Sequence, residues 1–120
     1  MKPGYLLYRL IRKKGFIQTI EYIYDSQDHE MVQAKLFKKI KENGGNLNNF
    51  FRVKKVMLDY KLVDYKLNEK TEKVIYLTEK GIDLYKKIIE IENFLLDKDA
   101  QTLSAPNLNA NADKTPMEEN

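Results

Sequence analysis

Large apolar residues recur at helical spacing in several stretches of the chain and alternate with polar ones near its middle. Phe16, Ile20 and Ile23, flanked by Ile17 and Tyr24, predict a core helix over residues 15–25. Ahead of it Leu6, Leu7, Leu10 and Ile11 keep the same spacing, so residues 5–14 are either an extra helix or the start of one long helix bent at Gly15. Ser26-Gln27-Asp28-His29 reads as a turn and Met31-Val32 as a short strand. Residues 34–41 then predict a helix with Leu36, Phe37 and Ile40 inward, stopped by Gly44-Gly45. Asn46 is a suitable N-cap for the next helix, where Phe50, Val53, Met57 and Tyr60 form an i, i+3, i+7, i+10 stripe facing the core. Leu62-Val63-Asp64-Tyr65-Lys66-Leu67 alternates apolar with polar, residues 68–72 are a polar connection, and Val74-Ile75-Tyr76-Leu77 resumes a β-rich run, which together predict a hairpin. Thr78 caps a final helix from 79 to about 97, with Gly81 a minor propensity cost in its first turn.

Helix, short strand, helix, glycine turn, helix, hairpin, helix is an α+β arrangement, mostly α, in the order of a winged helix-turn-helix domain. Met57-Leu58-Asp59-Tyr60-Lys61-Leu62-Val63 resembles the "L-x-x-x-G-L-V" run at the exit of the recognition helix in winged-helix regulators. Val74-Ile75-Tyr76-Leu77-Thr78-Glu79-Lys80-Gly81 resembles their "Y-x-L-T-x-x-G" segment, which closes the wing and opens the last helix. The chain is thus similar, over about residues 15–96, to MarR-like and archaeal ArnR-type winged-helix transcriptional regulators. Two positions depart from the pattern: Lys61 stands where the glycine is usual, and Ile75 replaces the usual aromatic. The resemblance implies a sequence-specific regulator that binds double-stranded DNA as a homodimer. The expected organisation is a basic helical extension (1–14), a winged helix-turn-helix domain (15–81), a C-terminal dimerisation helix (82–97) and an acidic tail (98–120).

Composition narrows the chemistry. The 120 residues hold 21 Lys+Arg against 18 Asp+Glu, no Cys, no Trp and a single His. Disulfide scaffolds, thiolate metal sites and thiol nucleophiles are excluded, and His29 alone cannot build a multi-histidine metal site. The carboxylate pairs Asp25/Asp28 and Glu90/Glu92 have no partner base, and Gly44-Gly45 is too short for a nucleotide-binding loop, so neither an enzyme nor a cofactor is implied. No stretch approaches the roughly 20 apolar residues of a membrane span, and Arg9, Arg12, Lys13 and Lys14 interrupt the apolar run after Lys2, so a cytoplasmic protein is expected. The net charge of +3 is unevenly spread: residues 1–96 hold 19 basic and 13 acidic residues, a balance of +6, and residues 97–120 hold 2 and 5, a balance of −3. The tail's composition predicts disorder, because it has too few large apolar residues to offset ordering entropy.

Major-groove recognition uses Arg and Lys toward guanine and Asn or Gln toward adenine. Opposite its apolar stripe the third core helix carries Asn48, Arg52 and Lys55, within about 60° of one another at 100° per residue, with Asn49 and Lys54 further round. These five are the candidate DNA-reading residues; the bland alternative is a solvated polar face. Lys35, Lys38 and Lys39 on the preceding helix and Lys70 and Lys73 on the wing are candidate backbone contacts. Arg9, Arg12, Lys13 and Lys14 are either a further phosphate-binding arm or the wet side of a packed helix. The last helix has two apolar seams about 120° apart, Ile82, Tyr85, Ile89 and Leu96 against Leu84, Ile88, Ile91 and Leu95. One seam docks on its own domain; the second meets either a second copy of the chain or the N-terminal helix. Winged helices also serve as protein-interaction modules without DNA binding, and such a module has no need of the Asn/Arg/Lys face. Tyr5, Tyr8, Tyr22 and Tyr24 offer aromatic surface for core packing or a small effector pocket.

Overall fold

A computed structural model describes residues 4–96. Five α-helices and a three-stranded antiparallel sheet follow one another as α1 (Tyr5–Ile11), α2 (Phe16–Tyr24), a 3-10 turn (Gln27–His29), β1 (Glu30–Val32), α3 (Gln33–Glu42), α4 (Leu47–Asp59), β2 (Val63–Leu67), β3 (Lys73–Leu77) and α5 (Glu79–Leu95). The architecture is α+β and mostly helical, in the expected element order. The expected acidic tail, 98–120, lies outside the described residues.

The question left open at the N-terminus has a backbone answer. Gly15 adopts φ +89, a left-handed conformation that suits glycine, and this breaks the chain between α1 and α2. Residues 5–11 are therefore a separate helix, whose Leu10 joins the buried core with Leu6 packed against it, while Leu7 and Ile11 are exposed. Asn46 caps α4 as its residue type predicts: its side-chain Oδ1 accepts from the backbone N–H of Asn48 at 2.8 Å.

The strand order is β1-β3-β2, so the hairpin's second strand is central and β1 closes one edge. Tyr76 faces Glu30 on one side and Asp64 on the other; Ile75 faces Met31 and Tyr65. Because strand side chains alternate, Met31, Val63, Tyr65, Ile75 and Leu77 share one face of the sheet. The core forms where Val63, Ile75 and Leu77 of that face meet Phe16, Ile20 and Ile23 of α2, Leu36 and Ile40 of α3, and Phe50, Val53 and Met57 of α4. Burying each such side chain is worth about 1.5–3 kcal/mol, which is why the helical stripes fix the packing of α2, α3 and α4. Tyr60 departs from its stripe: it is the C-cap of α4, where the helix has ended, and its ring is exposed beneath the Lys80 ammonium, 6.0 Å away.

The single histidine is structural in its contacts. His29 stacks on Tyr24 at 4.5 Å and its Nδ1 donates to the Tyr24 carbonyl at 2.7 Å, while Tyr85 packs on the other partner of the pair, Tyr24, at 4.6 Å. This stack clasps the turn in which Asp28 and His29 both have positive φ. The chain divides within α5, after Tyr85, into two units. In the first, Ile82, Leu84 and Tyr85 pack on the core. In the second, Ile89, Ile91, Phe94, Leu95 and Leu96 are exposed. Among the described residues no helix is long and apolar enough to cross a membrane.

Candidate nucleic-acid interface

The buried side of α4 leaves its opposite side free by geometry alone. With Phe50, Val53 and Met57 inward, Asn48, Arg52 and Lys55 are exposed together. The remaining two candidates on this helix turn elsewhere. Asn49 is half-buried against the α1–α2 junction, where a Cβ on Gly15 would meet its own Cβ at 3.2 Å. Lys54 is half-buried on the hairpin side, its ammonium 5.3 Å from the centre of the Tyr65 ring.

One turn of α4 also carries a carboxylate into the exposed face. Lys55 Nζ donates to Asp59 Oδ2 at 2.7 Å, and that bond raises the ammonium's pKa above the usual lysine value. Exposed pairs of this kind are worth little, so Lys55 exchanges Asp59 for another anion at small cost. Arg52 makes no ion pair among the described residues and is the free cation of the face.

Tyr65 is the hub that joins α3, α4 and the hairpin. Its hydroxyl donates to Gln33 Oε1 at 2.6 Å, at the start of α3. The Lys73 ammonium lies 4.4 Å from the ring centre, in addition to that of Lys54. Cation–π contacts of this type hold long lysine stems in place and contribute up to about 1 kcal/mol each where exposed. Burial pushes the Tyr65 phenol up to about 12. The sequence pattern placed Tyr65 only in an alternating strand; nothing local to it signalled three partners from three elements.

The hairpin tip is closed by Asn68, whose Oδ1 accepts from the backbone N–H groups of Lys70 and Glu72, both at 2.9 Å. Lys70 projects into solvent at this tip, whereas Lys73 is drawn back over Tyr65. Leu67, at the end of β2, is two-thirds exposed. On the outer side of the sheet Lys66 donates to Glu30 Oε1 at 2.7 Å, which raises its pKa and removes it from the free charges.

The α3 lysines point in three directions. Lys39 lies over the Tyr22 ring of α2 at 5.2 Å, and Lys35 lines a hollow with Asp28, Glu30, Asn68 and Val74. Lys38 lines a hollow with Ala34, Phe37 and Lys41 on the side of α3 that bears Phe37. Its contact with Glu42, 3.9 Å, is long and exposed. In the basic N-terminal cluster the guanidinium groups of Arg9 and Arg12 lie over the exposed rings of Tyr5 and Tyr8, at 5.6 and 5.4 Å. Of the dimerisation candidates Leu84 is partly buried against the core, Ile88 is half-buried, and Ile91 and Leu95 are exposed.

No protein-family model matches the chain, and neither a curated protein nor a solved structure is detectably similar to it.

Proposed function

We propose that the protein is a winged helix-turn-helix regulator that binds double-stranded DNA sequence-specifically as a homodimer in the cytoplasm. In this reading α3 and α4 are the helix-turn-helix, α4 enters the major groove, and the β2–β3 hairpin is the wing. The observation that carries the reading is α4 itself: a buried apolar stripe of Phe50, Val53 and Met57 opposite an exposed Asn48, Arg52 and Lys55, with Lys54 and Lys73 tying the hairpin to the flank of α4 through Tyr65. Asn48 and Arg52 supply the amide and guanidinium chemistry for base edges. Lys55, Lys70 and Lys38 supply exposed charges for phosphates, while Lys35, Lys39 and Asn49 act from the flanks.

The homodimer rests on the distal half of α5. Four large apolar side chains there are exposed, Phe94 by 79% and Leu95 by 71%, with Leu96 exposed just beyond the helix, and apolar surface of this density favours a partner. A second copy is the simplest one, and it sets two α4 helices to read half-sites about one helical turn of DNA apart. Single Leu95→Glu and Ile91→Glu substitutions should convert the dimer to monomer in sedimentation equilibrium.

Duplex binding measured against salt tests the main claim. Phosphate contacts make affinity fall steeply as salt rises, and Arg52→Ala is expected to relax sequence preference while Lys55→Ala lowers affinity for all duplexes. If both variants keep the wild-type affinity and preference, α4 is not the reading helix. If the full chain binds no duplex even at low salt, the protein-interaction module is the correct reading.

A further inference from the structure

Phe51 is unexplained by the core. It follows the buried Phe50 in α4, yet its side chain is half exposed (50%). At 100° per residue it lies roughly 40° from Lys55 and 60° from Asn48, so it borders the same face as the polar candidates. The ring is nevertheless held in place: it meets Phe37 of α3 edge-on at 5.7 Å and Phe50 at 5.5 Å, and those two rings meet each other at 5.2 Å. A three-ring cluster of this kind fixes where the exposed edge is presented. Beside it the hollow on α3 has an apolar floor of Ala34 and Phe37 and cations at Lys38 and Lys41; its one carboxylate, Glu42, faces Lys38.

The major groove contains one apolar feature, the 5-methyl group of thymine. We propose that Phe51 is a specificity-determining residue that packs on a thymine methyl, adding an apolar contact to the polar contacts of Asn48 and Arg52. The proposal rests on α4 being the reading helix and deepens that assignment by naming a base. An aromatic ring anchored by two neighbours discriminates a methyl group because it neither swings away nor offers a hydrogen bond to the other bases.

The test uses the full chain and the best-binding duplex selected from a randomised pool. That duplex is resynthesised with deoxyuridine at each thymidine in turn, which removes only the methyl group. The expected result is a loss of affinity of about three- to fivefold at one thymine per half-site, the scale of burying one methyl group. Phe51→Ala should bind the thymine and uracil duplexes equally. Phe51→Gln should shift the preferred base at that position toward adenine, since a glutamine amide pairs with adenine. Both readouts are ratios, so a reduced folded fraction does not alter them. Sequence-preferring binding with no methyl dependence, or the same methyl dependence in Phe51→Ala, overturns the role of Phe51 and leaves α4 as reader. Absence of sequence-preferring duplex binding by the wild-type chain overturns both.

Discussion

Gly81→Ala separates helix propensity from packing by the sign of its effect. Gly81 lies in the first turn of α5, and alanine there would gain about 1 kcal/mol from propensity alone. The structure gives the opposite result. A Cβ at this position would fall 2.1 Å from the Leu62 carbonyl oxygen, 3.0 Å from its carbon and 3.3 Å from Leu77 Cδ2, so roughly 1 Å must be opened between α5 and the start of the hairpin. Leu62 is buried and held at both ends: its N–H donates to Met57 O at 2.8 Å, and its carbonyl accepts from Thr78 N at 3.0 Å. Moving it strains or breaks the second bond, and leaving that buried carbonyl unsatisfied costs about 1–3 kcal/mol. Overpacking adds about 1–3 kcal/mol. Set against the propensity gain, the net loss is about 1–5 kcal/mol, or a fall in Tm on the order of 5–25 °C for a domain of this size. Thermal unfolding followed by circular dichroism, with urea titration to confirm an unchanged m-value, measures it. A Tm equal to or above wild type would refute the close-approach argument and leave propensity in charge.

Other outcomes follow from the same contacts. Lys61 sits at φ +58 just after α4, so Lys61→Gly should relieve left-handed strain and stabilise the protein by about 0.5–1 kcal/mol in urea unfolding; a loss of stability would show that the turn is held by the lysine side chain instead. Asp59→Asn removes a negative charge from the exposed face of α4 and frees Lys55, so duplex affinity at low salt should rise several-fold, and an unchanged affinity would place DNA elsewhere. The Tyr65 phenol, raised to about 12, stays neutral in the folded protein while an unfolded tyrosine ionises near 10, so its contribution to stability is complete below pH 10 and is lost as pH rises through about 12. Tyr65→Phe should flatten this alkaline loss in pH-dependent unfolding and remove the latest-titrating tyrosinate from the ultraviolet absorbance titration.

Much of this architecture was legible from residue pattern. The stripes Phe16, Ile20, Ile23 and Phe50, Val53, Met57 marked the buried faces, since a 3.6-residue period is a local property of the chain. Asn46 and the hairpin were equally readable, because capping and strand alternation involve near neighbours. The resemblance also pointed at position 61, where the usual glycine now has its reason in a positive φ. Gly81 was misjudged as a small cost in propensity, because its need for a bare Cα comes from a carbonyl nineteen positions earlier in the chain.

By itself the sequence determined the order of the elements, the faces that α2, α3 and α4 bury and therefore the exposure of Asn48, Arg52 and Lys55. Only the tertiary structure decided where the remaining polar candidates lie: Asn49 is half-buried beside Gly15, Lys39 rests on Tyr22, and Lys54 and Lys73 converge on Tyr65. It also lifted Phe51 out of an unremarkable Phe-Phe pair and fixed its ring at the edge of the polar face. The physical reason is range. Periodicity, caps and turns act over a few residues, whereas a lysine's choice between water and an aromatic ring depends on what another element brings within about 6 Å.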